Sequence, residues 1–265
     1  MPDTATIVFS NWPSMCMIMA HPLEQDTVIV TGASSGIGAA TCHDLAAAGA
    51  NVVLASRSED RLRERADDLE ADHDVETLVV PTDVREEDDV DALIEAAVDR
   101  FGGINVLVNN AGLARGSDVE SLTTEEYETM QETNVDGVFY ATRAAIPHVR
   151  ERDGHLIFVG SFAGQYPRPF NPVYAASKWW VRGFAKSVAA QVGDDGVGVT
   201  IVNPSEVRSQ FGSADGDPFV ERFDEGEATE PGEIAEAIRF AASRNGSSVT
   251  ELDLYRRDKF ADTFE

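Results

Sequence analysis

The sequence predicts an α/β fold: a single domain built on a doubly wound, seven-stranded parallel sheet with helices on both faces. Short apolar, β-branched runs alternate with helical patterns at a regular interval along the 265 residues. Strands that alternate with helices are typical of a parallel sheet whose crossovers are right-handed. No linker long enough to divide the chain interrupts this alternation, and the length suits one large domain.

Each predicted strand is a short, mostly apolar run. The first run (TVIVT) is β-branched and stops at Gly32, which is typical of a buried strand followed by a turn. The predicted strands are 27–31, 51–55, 75–81, 104–108, 155–159, 198–202 and 249–254. The predicted helices are 36–50, 59–72, 86–101, 123–152 in two pieces, 173–192 and 231–244.

The charge balance excludes some classes of partner. The chain carries 47 acidic and 21 basic residues, for a net charge of −26, and such a surface repels nucleic acid. Only three of the basic residues are lysines (Lys178, Lys186 and Lys259). Because strong screening relieves the self-repulsion of an acidic surface, we hypothesise a halophile's cytosolic protein that folds in molar salt. The alternative is an acidic mesophilic enzyme.

Residues 1–22 differ in character from the rest of the chain. Their apolar stretch at 7–20 lacks a preceding basic residue and is broken by Asn11 and Pro13, so it is a poor signal peptide. We interpret 1–22 as a disordered tail or an upstream start-codon artefact, with Met19 as the true start, and 23–265 as the domain. No run reaches the roughly 18 apolar residues that a membrane span needs.

Cysteine and histidine point to no disulfide or metal framework. Cys16 and Cys42 are too few for a disulfide scaffold, so we expect free thiols in a reducing, cytoplasmic compartment. The five histidines are scattered without ligand spacing, so we expect no metal.

A glycine-rich turn follows the first predicted strand. Residues 31–38 read TGASSGIG and open a predicted helix. A pyrophosphate binds backbone N–H groups at a helix N-terminus, and glycines let the chain approach it closely. The alternative is a tight strand–helix turn that binds nothing.

Two side chains on one helix suit proton transfer. Tyr174 and Lys178 lie four residues apart, one turn along the same face. A phenol has an ordinary pKa near 10, and a neighbouring ammonium lowers it, so the pair could protonate a carbonyl oxygen during hydride transfer. The alternative is an ordinary amphipathic helix face.

Together these motifs resemble the short-chain dehydrogenase/reductase family over about residues 25–255. The family's T-G-x-x-x-G-x-G is matched at 31–38, its N-N-A-G at 109–112 and its Y-x-x-x-K at 174–178, with Ser161 thirteen residues upstream of the tyrosine. The resemblance implies a Rossmann fold and a catalytic set of Asn134, Ser161, Tyr174 and Lys178. In it Ser161 binds the substrate oxygen, and Asn134 breaks its helix and holds a water that links Lys178 to solvent.

The resemblance also implies a nicotinamide cofactor. Ser56 stands where an acidic residue would select NAD, and Arg57 follows it, which favours the 2′-phosphate of NADP(H). Arg57 could instead be a solvated surface charge, and Asp83 a helix N-cap. Ser205 and Ser209 replace the family's usual Gly and Thr. The implied cofactor-binding residues are Gly32, Ser34, Ser35, Gly36, Ile37, Gly38, Arg57, Asp83, Val84, Asn110, Ala111, Gly112, Tyr174, Lys178, Pro204, Val207 and Ser209.

The implied activity is carbonyl–alcohol interconversion on a small substrate. The stretches NNAGLA and ETMQETN look similar to NADP-dependent 3-hydroxy acid dehydrogenases within the family. We expect one wall of the substrate pocket to contain Gln165, Tyr166, Pro167 and Phe170. We expect 210–229 to be either a substrate lid or an ordinary acidic loop.

Two further expectations concern assembly and a rival function. The family often pairs two long helices from each subunit, here 123–152 and 173–192, so we expect a homodimer or homotetramer. The alternative hypothesis for the function is a non-catalytic NADP-sensing or scaffold protein on the same fold.

Overall fold

A parallel β-sheet forms the centre of the computed structural model, which describes residues 23–116, 118–212 and 217–261. Its strand order is β3-β2-β1-β4-β5-β6-β7, and every pairing is parallel. The predicted seven-stranded, doubly wound sheet is confirmed. The strands are β1 Thr27–Thr31, β2 Asn51–Ser56, β3 Thr77–Pro81, β4 Val106–Asn109, β5 His155–Val159, β6 Gly198–Pro204 and β7 Glu251–Leu254.

Eight α-helices flank the sheet within the described residues. They are α1 Gly36–Ala47, α2 Glu59–Asp72, α3 Glu87–Phe101, α4 Thr124–Gln131, α5 Gly137–Arg150, α6 Pro172–Val192, α7 Phe219–Arg222 and α8 Pro231–Ala242. A π-helical turn, Glu132–Asp136, joins α4 to α5, which confirms that the long predicted helix is in two pieces. Pro231 opens α8 at a position where its missing N–H breaks no helical bond.

Alternating side chains of the strands feed two separate cores. Val28 and Val30 of β1 pack with Leu45 of α1 on one face. Ile29 packs with Leu93 of α3 on the other face. Helices therefore cover both faces of the sheet, which is why the central strands are continuous apolar runs rather than alternating ones.

Several predicted boundaries differ from the structure. The first helix ends at Ala47 rather than at residue 50, because Gly49 adopts a φ of +91° and the Ala50 N–H turns back to the Leu45 carbonyl. β3, β4 and β7 each begin two residues later than predicted. Each begins at its first residue that pairs with a neighbouring strand.

The strand order reverses between β1 and β4. The chain passes from β1 to β2 on one side, while β4 joins β1 on the other side, which creates a crevice at the carboxyl ends of these two strands. The predicted tail at 1–22 lies outside the described residues. No helix among the described residues is long and apolar enough to span a membrane.

Candidate active site

A cavity of about 610 Å³ opens at the carboxyl ends of the strands. Of the predicted site residues, all but Gly38 and Asn134 line it. The fold thus gathers these residues from seven separate segments of the chain, at the position where parallel α/β sheets bind ligands.

The glycine-rich turn forms one end of this cavity. Gly32 and Gly36 adopt φ values of +69° and +54°, which L side chains rarely adopt. Ser35 is the N-cap residue of α1, and within the described part of the chain its side chain caps none of the helix's first N–H groups. The helix also has no acidic residue in its first turn. These free donors fit a pyrophosphate.

Gly38 has a role in packing. It is buried behind the cavity, where a Cβ atom would lie 2.2 Å from the Gly32 carbonyl oxygen. Gly38 is therefore not among the residues that line the cavity, and its lack of a side chain lets α1 pack closely against the turn. Contact between Gly38 and the cofactor stays a prediction.

Thr31 and Asn110 hold the crevice together. The Thr31 hydroxyl accepts the N–H groups of Asn110 and Ala111, both at 3.0 Å, and donates to the Val108 carbonyl oxygen. The Asn110 amide donates to the Thr31 carbonyl oxygen at 2.8 Å. These bonds join the ends of β1 and β4 and account for the asparagine and threonine in their motifs.

Tyr174 lies on the first turn of α6 and lines the cavity together with Ser161. Burial raises the pKa of the Tyr174 phenol above 10. A hydrogen bond with the Ser161 side chain and the positive charge of Arg168 oppose this rise. The phenol therefore stays protonated at neutral pH, which suits a proton donor.

Lys178 lies one turn farther along α6 and is buried. Its Nζ donates to the Val159 carbonyl oxygen at 2.9 Å and lies 6.0 Å from the centroid of the Tyr174 ring. Burial lowers the pKa of Lys178 to about 8. That Lys178 lowers the pKa of the Tyr174 phenol stays a prediction. In the structure the Lys178 ammonium donates to a strand carbonyl, and the groups that oppose the rise of the phenol pKa are Ser161 and Arg168.

Asn134 is fully buried inside the π-helical turn. Its amide donates to the Leu113 carbonyl oxygen and to the Ser177 hydroxyl, and its oxygen accepts the Leu113 N–H at 2.9 Å. The predicted local break of the helix is confirmed. The side chain fastens the segment after β4 to the helix that carries Tyr174 and Lys178, and it does not itself line the cavity.

The far end of the cavity is formed after β2 and β3. Arg57 is exposed on the rim, and among the described residues it forms no ion pair. Asp83 is held by Arg85, whose guanidinium lowers the pKa of that carboxyl. Asp83 is not the N-cap of α3, because that helix begins at Glu87 with Glu86 as its cap. Val84 lines the cavity beside Asp83.

The segment after β6 closes the cavity from the other side. Pro204, Val207 and Ser209 line it as predicted. The Ser209 hydroxyl donates to the Val207 carbonyl oxygen at 3.2 Å and accepts the Phe211 N–H at 3.3 Å. The Ser205 hydroxyl accepts the Arg256 N–H. Both serines that depart from the family pattern, Ser205 and Ser209, are therefore hydrogen-bonded within an ordered segment.

The predicted pocket wall is partly wrong. Phe170 lines the cavity, whereas Gln165, Tyr166 and Pro167 do not. A short 3₁₀ turn at Phe162–Gly164 directs the chain away, so that Gln165 bonds to Glu251, Asp253 and Tyr255. Tyr166 stacks on Phe162 at a centroid distance of 4.4 Å.

Sequence reasoning missed several lining residues. The main ones are Arg115, Arg168, Phe211, Phe219 and Arg222. Arg168 lies only six residues before Tyr174 in a strongly acidic chain, and this isolated cation was the available signal.

Comparison with known proteins adds the family. The model of the short chain dehydrogenase family matches residues 26–217. This chain belongs to the short chain dehydrogenase family. An uncharacterized oxidoreductase of Staphylococcus epidermidis is 32% identical over 223 residues, which cover 84% of this chain and 93% of that protein.

Two solved structures resemble this chain. An alcohol dehydrogenase from Thermococcus sibiricus, complexed with 5-hydroxy-NADP, has a TM-score of 0.81 and 30% identity, covering 88% of this chain and 97% of that one. A 3-ketoacyl-(acyl-carrier-protein) reductase from Brucella melitensis, complexed with NADH, has a TM-score of 0.78 and 30% identity, covering 89% and 98%. The family and its relatives support an oxidoreductase that uses a nicotinamide nucleotide.

Proposed function

We propose that the protein is an NADP(H)-dependent oxidoreductase that interconverts a carbonyl and an alcohol on a small substrate. The observation that carries this proposal is the meeting of Ser161, Tyr174 and Lys178 in the cavity that begins at the glycine-rich turn. When bound, the nicotinamide supplies or accepts the hydride.

The chain's own residues supply the proton and orient the substrate. Ser161 donates a hydrogen bond to the substrate oxygen, and the Tyr174 phenol gives that oxygen its proton during reduction. Because the raised phenol pKa disfavours phenolate, alcohol oxidation should need alkaline pH. Lys178 holds the cofactor ribose, and Asn134 positions Lys178 and supports proton supply.

Preference for NADP(H) over NAD(H) rests on Arg57. Its planar guanidinium is exposed at the end of β2, where Ser56 leaves no carboxylate to bind a ribose hydroxyl. Asp83 and Val84 would contact the adenine, while Pro204, Val207 and Ser209 would contact the nicotinamide end. The T. sibiricus protein was solved with an NADP derivative and the B. melitensis protein with NADH, so relatives use both nucleotides.

The cofactor preference can be measured directly. We expect Arg57→Ala to reduce the ratio of kcat/KM for NADPH to that for NADH by about 10- to 100-fold, the value of a charge-assisted contact. Arg63→Ala is the matched control, because Arg63 pairs with Glu59 on the exposed face of α2. An unchanged ratio in Arg57→Ala would remove the basis for NADP preference.

The catalytic assignment has its own test. We expect Tyr174→Phe to abolish turnover while NADPH fluorescence still reports binding. Tyr166→Phe is the control, because Tyr166 lies beside the cavity without lining it. Turnover by Tyr174→Phe at the parent rate would refute the role. Tight NADPH binding by the parent without turnover of any carbonyl would instead favour the sensor or scaffold reading.

Self-association is also proposed. Phe139 on α5 and Trp179 and Trp180 on α6 are exposed, and Trp180 stacks on Phe184. Exposed aromatic residues on neighbouring helices favour a dimer or tetramer formed through these helices. Light scattering should therefore give a mass of two or four chains, and replacing both tryptophans with Gln should lower it.

A further inference from the structure

The lining of the cavity is unusually basic for this chain. It includes Arg115, Arg168 and Arg222, although the chain has a net charge of −26. Arg57 and Lys178 have cofactor roles in the proposed function, but these three arginines have none. Along the whole lining, five basic side chains face two carboxylates, Asp83 and Glu206, and such an excess of positive charge concentrates anions.

Arg168 is the most closely held of the three. Its side chain is 20% exposed, and its guanidinium carbon lies 4.5 Å from the centroid of the Phe170 ring and 5.8 Å from that of Phe162. Stacking on these rings restricts the planar group while leaving its edge N–H donors available. Such an edge matches the two oxygens of a carboxylate.

The nearby carboxylate does not neutralise this arginine. Glu206 lies 3.7 Å from Arg168, but it is bound more closely by Lys259 at 2.5 Å and also faces Arg256 at 3.8 Å. Arg256 is itself closer to Asp258, at 3.2 Å, and Glu206 is closer to Lys259 than to Arg168, so Arg168 is not the nearest cation to this carboxylate.

Arg168 also lies close enough to the reacting group to matter. Arg168 and Tyr174 both line the cavity, and the positive charge of Arg168 acts to lower the pKa of the Tyr174 phenol. The walls beside them are apolar: Phe211 lies 5.8 Å from the Tyr174 ring and 6.1 Å from Phe219, between ring centroids.

From these observations we infer that Arg168 binds a carboxylate on the substrate, and that the substrate is a small monoanionic oxo acid with an apolar body. This inference rests on the proposed function. When bound, NADPH would supply the hydride to the ketone carbon. Tyr174 would give the ketone oxygen its proton and regain one from solvent, and the carboxylate would be unchanged, so that the products are a hydroxy acid and NADP⁺.

Acid and ester pairs test the carboxylate separately from the ketone. Phenylglyoxylate and levulinate are compared with their methyl esters, at the lowest KCl concentration that keeps the protein folded. We expect the acid to be preferred over its ester in kcat/KM for at least one pair. Arg168→Gln should lower that acid-to-ester ratio by about 10- to 100-fold, and Arg168→Lys by less.

The ratio separates anion binding from the effect of Arg168 on the phenol. Loss of its charge changes the Tyr174 proton transfer for acid and ester alike, whereas loss of a carboxylate contact affects the acid alone. Arg150→Gln is the matched control, because Arg150 pairs with Asp195 on the surface and its removal changes the net charge equally. An equal loss for acid and ester, or an unchanged ratio, would overturn the inference.

Calorimetry distinguishes this inference from the proposed function. Phenylglyoxylate is titrated into the protein loaded with NADP⁺, for the parent and for Arg168→Gln, after circular dichroism has shown that both are folded. Binding that needs Arg168, with no NADPH-dependent turnover of any tested carbonyl, would support the anion site and contradict the oxidoreductase. Turnover of esters with no preference for acids would support the oxidoreductase and overturn the anion site.

Discussion

Replacing the buried lysine of α6 should stabilise the protein while destroying its activity. Burial lowers the pKa of Lys178 to about 8 from its ordinary 10.5. At neutral pH the folded protein therefore binds the Lys178 proton less favourably than the unfolded chain does. Methionine fills a similar volume without the charge. We therefore expect Lys178→Met to unfold at a higher urea concentration than the parent at pH 7 and to show no turnover.

The size of this effect follows from the pKa. A shift from 10.5 to about 8 corresponds to about 3.4 kcal/mol of destabilisation below pH 8, at about 1.36 kcal/mol per unit. Losing the hydrogen bond from Nζ to the Val159 carbonyl oxygen offsets about 1 kcal/mol. The variant should therefore be more stable than the parent by about 2 kcal/mol at neutral pH.

The direction in which the stability of the parent changes with pH is the strictest test of this reasoning. Between pH 8 and 10.5 the unfolded chain binds the Lys178 proton while the folded chain has lost it, so the parent gains stability as pH rises. The difference in unfolding free energy between variant and parent should shrink by about 2.5 kcal/mol from pH 7 to pH 10.

Urea unfolding followed by tryptophan fluorescence in 2 M KCl measures this difference. Lys186→Met is the control, because Lys186 lies on the same helix with half its side chain exposed and pairs with Glu251. Its difference from the parent should hardly change over this pH range. A Lys178→Met difference that stays constant from pH 7 to pH 10, or a variant less stable than the parent at pH 7, would refute the reasoning.

Three other predictions concern stability. Burial alone would raise the pKa of Glu251, but hydrogen bonds from Arg182 and Lys186 hold it at about 2. Glu251→Gln should therefore lower the free energy of unfolding by up to about 3 kcal/mol above pH 4.5, and by almost nothing near pH 2, as measured by urea titration. Gly38→Ala should lower the free energy of unfolding by about 3 kcal/mol or more and weaken NADPH binding, because the new Cβ would overlap the Gly32 carbonyl. Gly183→Ala is the control: no atom lies within 4 Å of its new Cβ, so it should stabilise α6 by up to about 1 kcal/mol. If screening of the −26 charge stabilises the fold, the thermal midpoint should rise between 0.1 and 3 M KCl more than in sucrose of equal osmolality, and a fall would contradict the halophile hypothesis.

The sheet could be predicted from the sequence because its physical cause is local. A run such as 27–31 is β-branched, apolar and followed by glycine, and burial on both faces demands that composition. The glycine-rich turn and the Tyr174–Lys178 spacing are also local patterns, so most of the predicted site residues do line the cavity.

The substrate end could not be predicted because distant contacts determine it. Which residues between Phe162 and Asn171 face the cavity depends on the stacking of Phe162 with Tyr166, and on a C-terminal segment in which Tyr255 packs against Phe162. The direction of the Lys178 ammonium likewise depends on a strand carbonyl nineteen residues away. Neither contact leaves a spacing signal in the chain.

The reversal of strand order at β1 also constrains how the chain is made. During synthesis β2 can pair with β1 early and β3 with β2, but the other edge of β1 stays open until β4, about 78 residues later, is available to pair with it. An apolar edge strand that waits for its partner is a template for aggregation. The proposed cofactor site lies across the junction of β1 and β4, so bound NADPH would contact both the segments synthesised before β4 and those synthesised after it. Adding NADPH during translation should therefore raise the yield of folded protein.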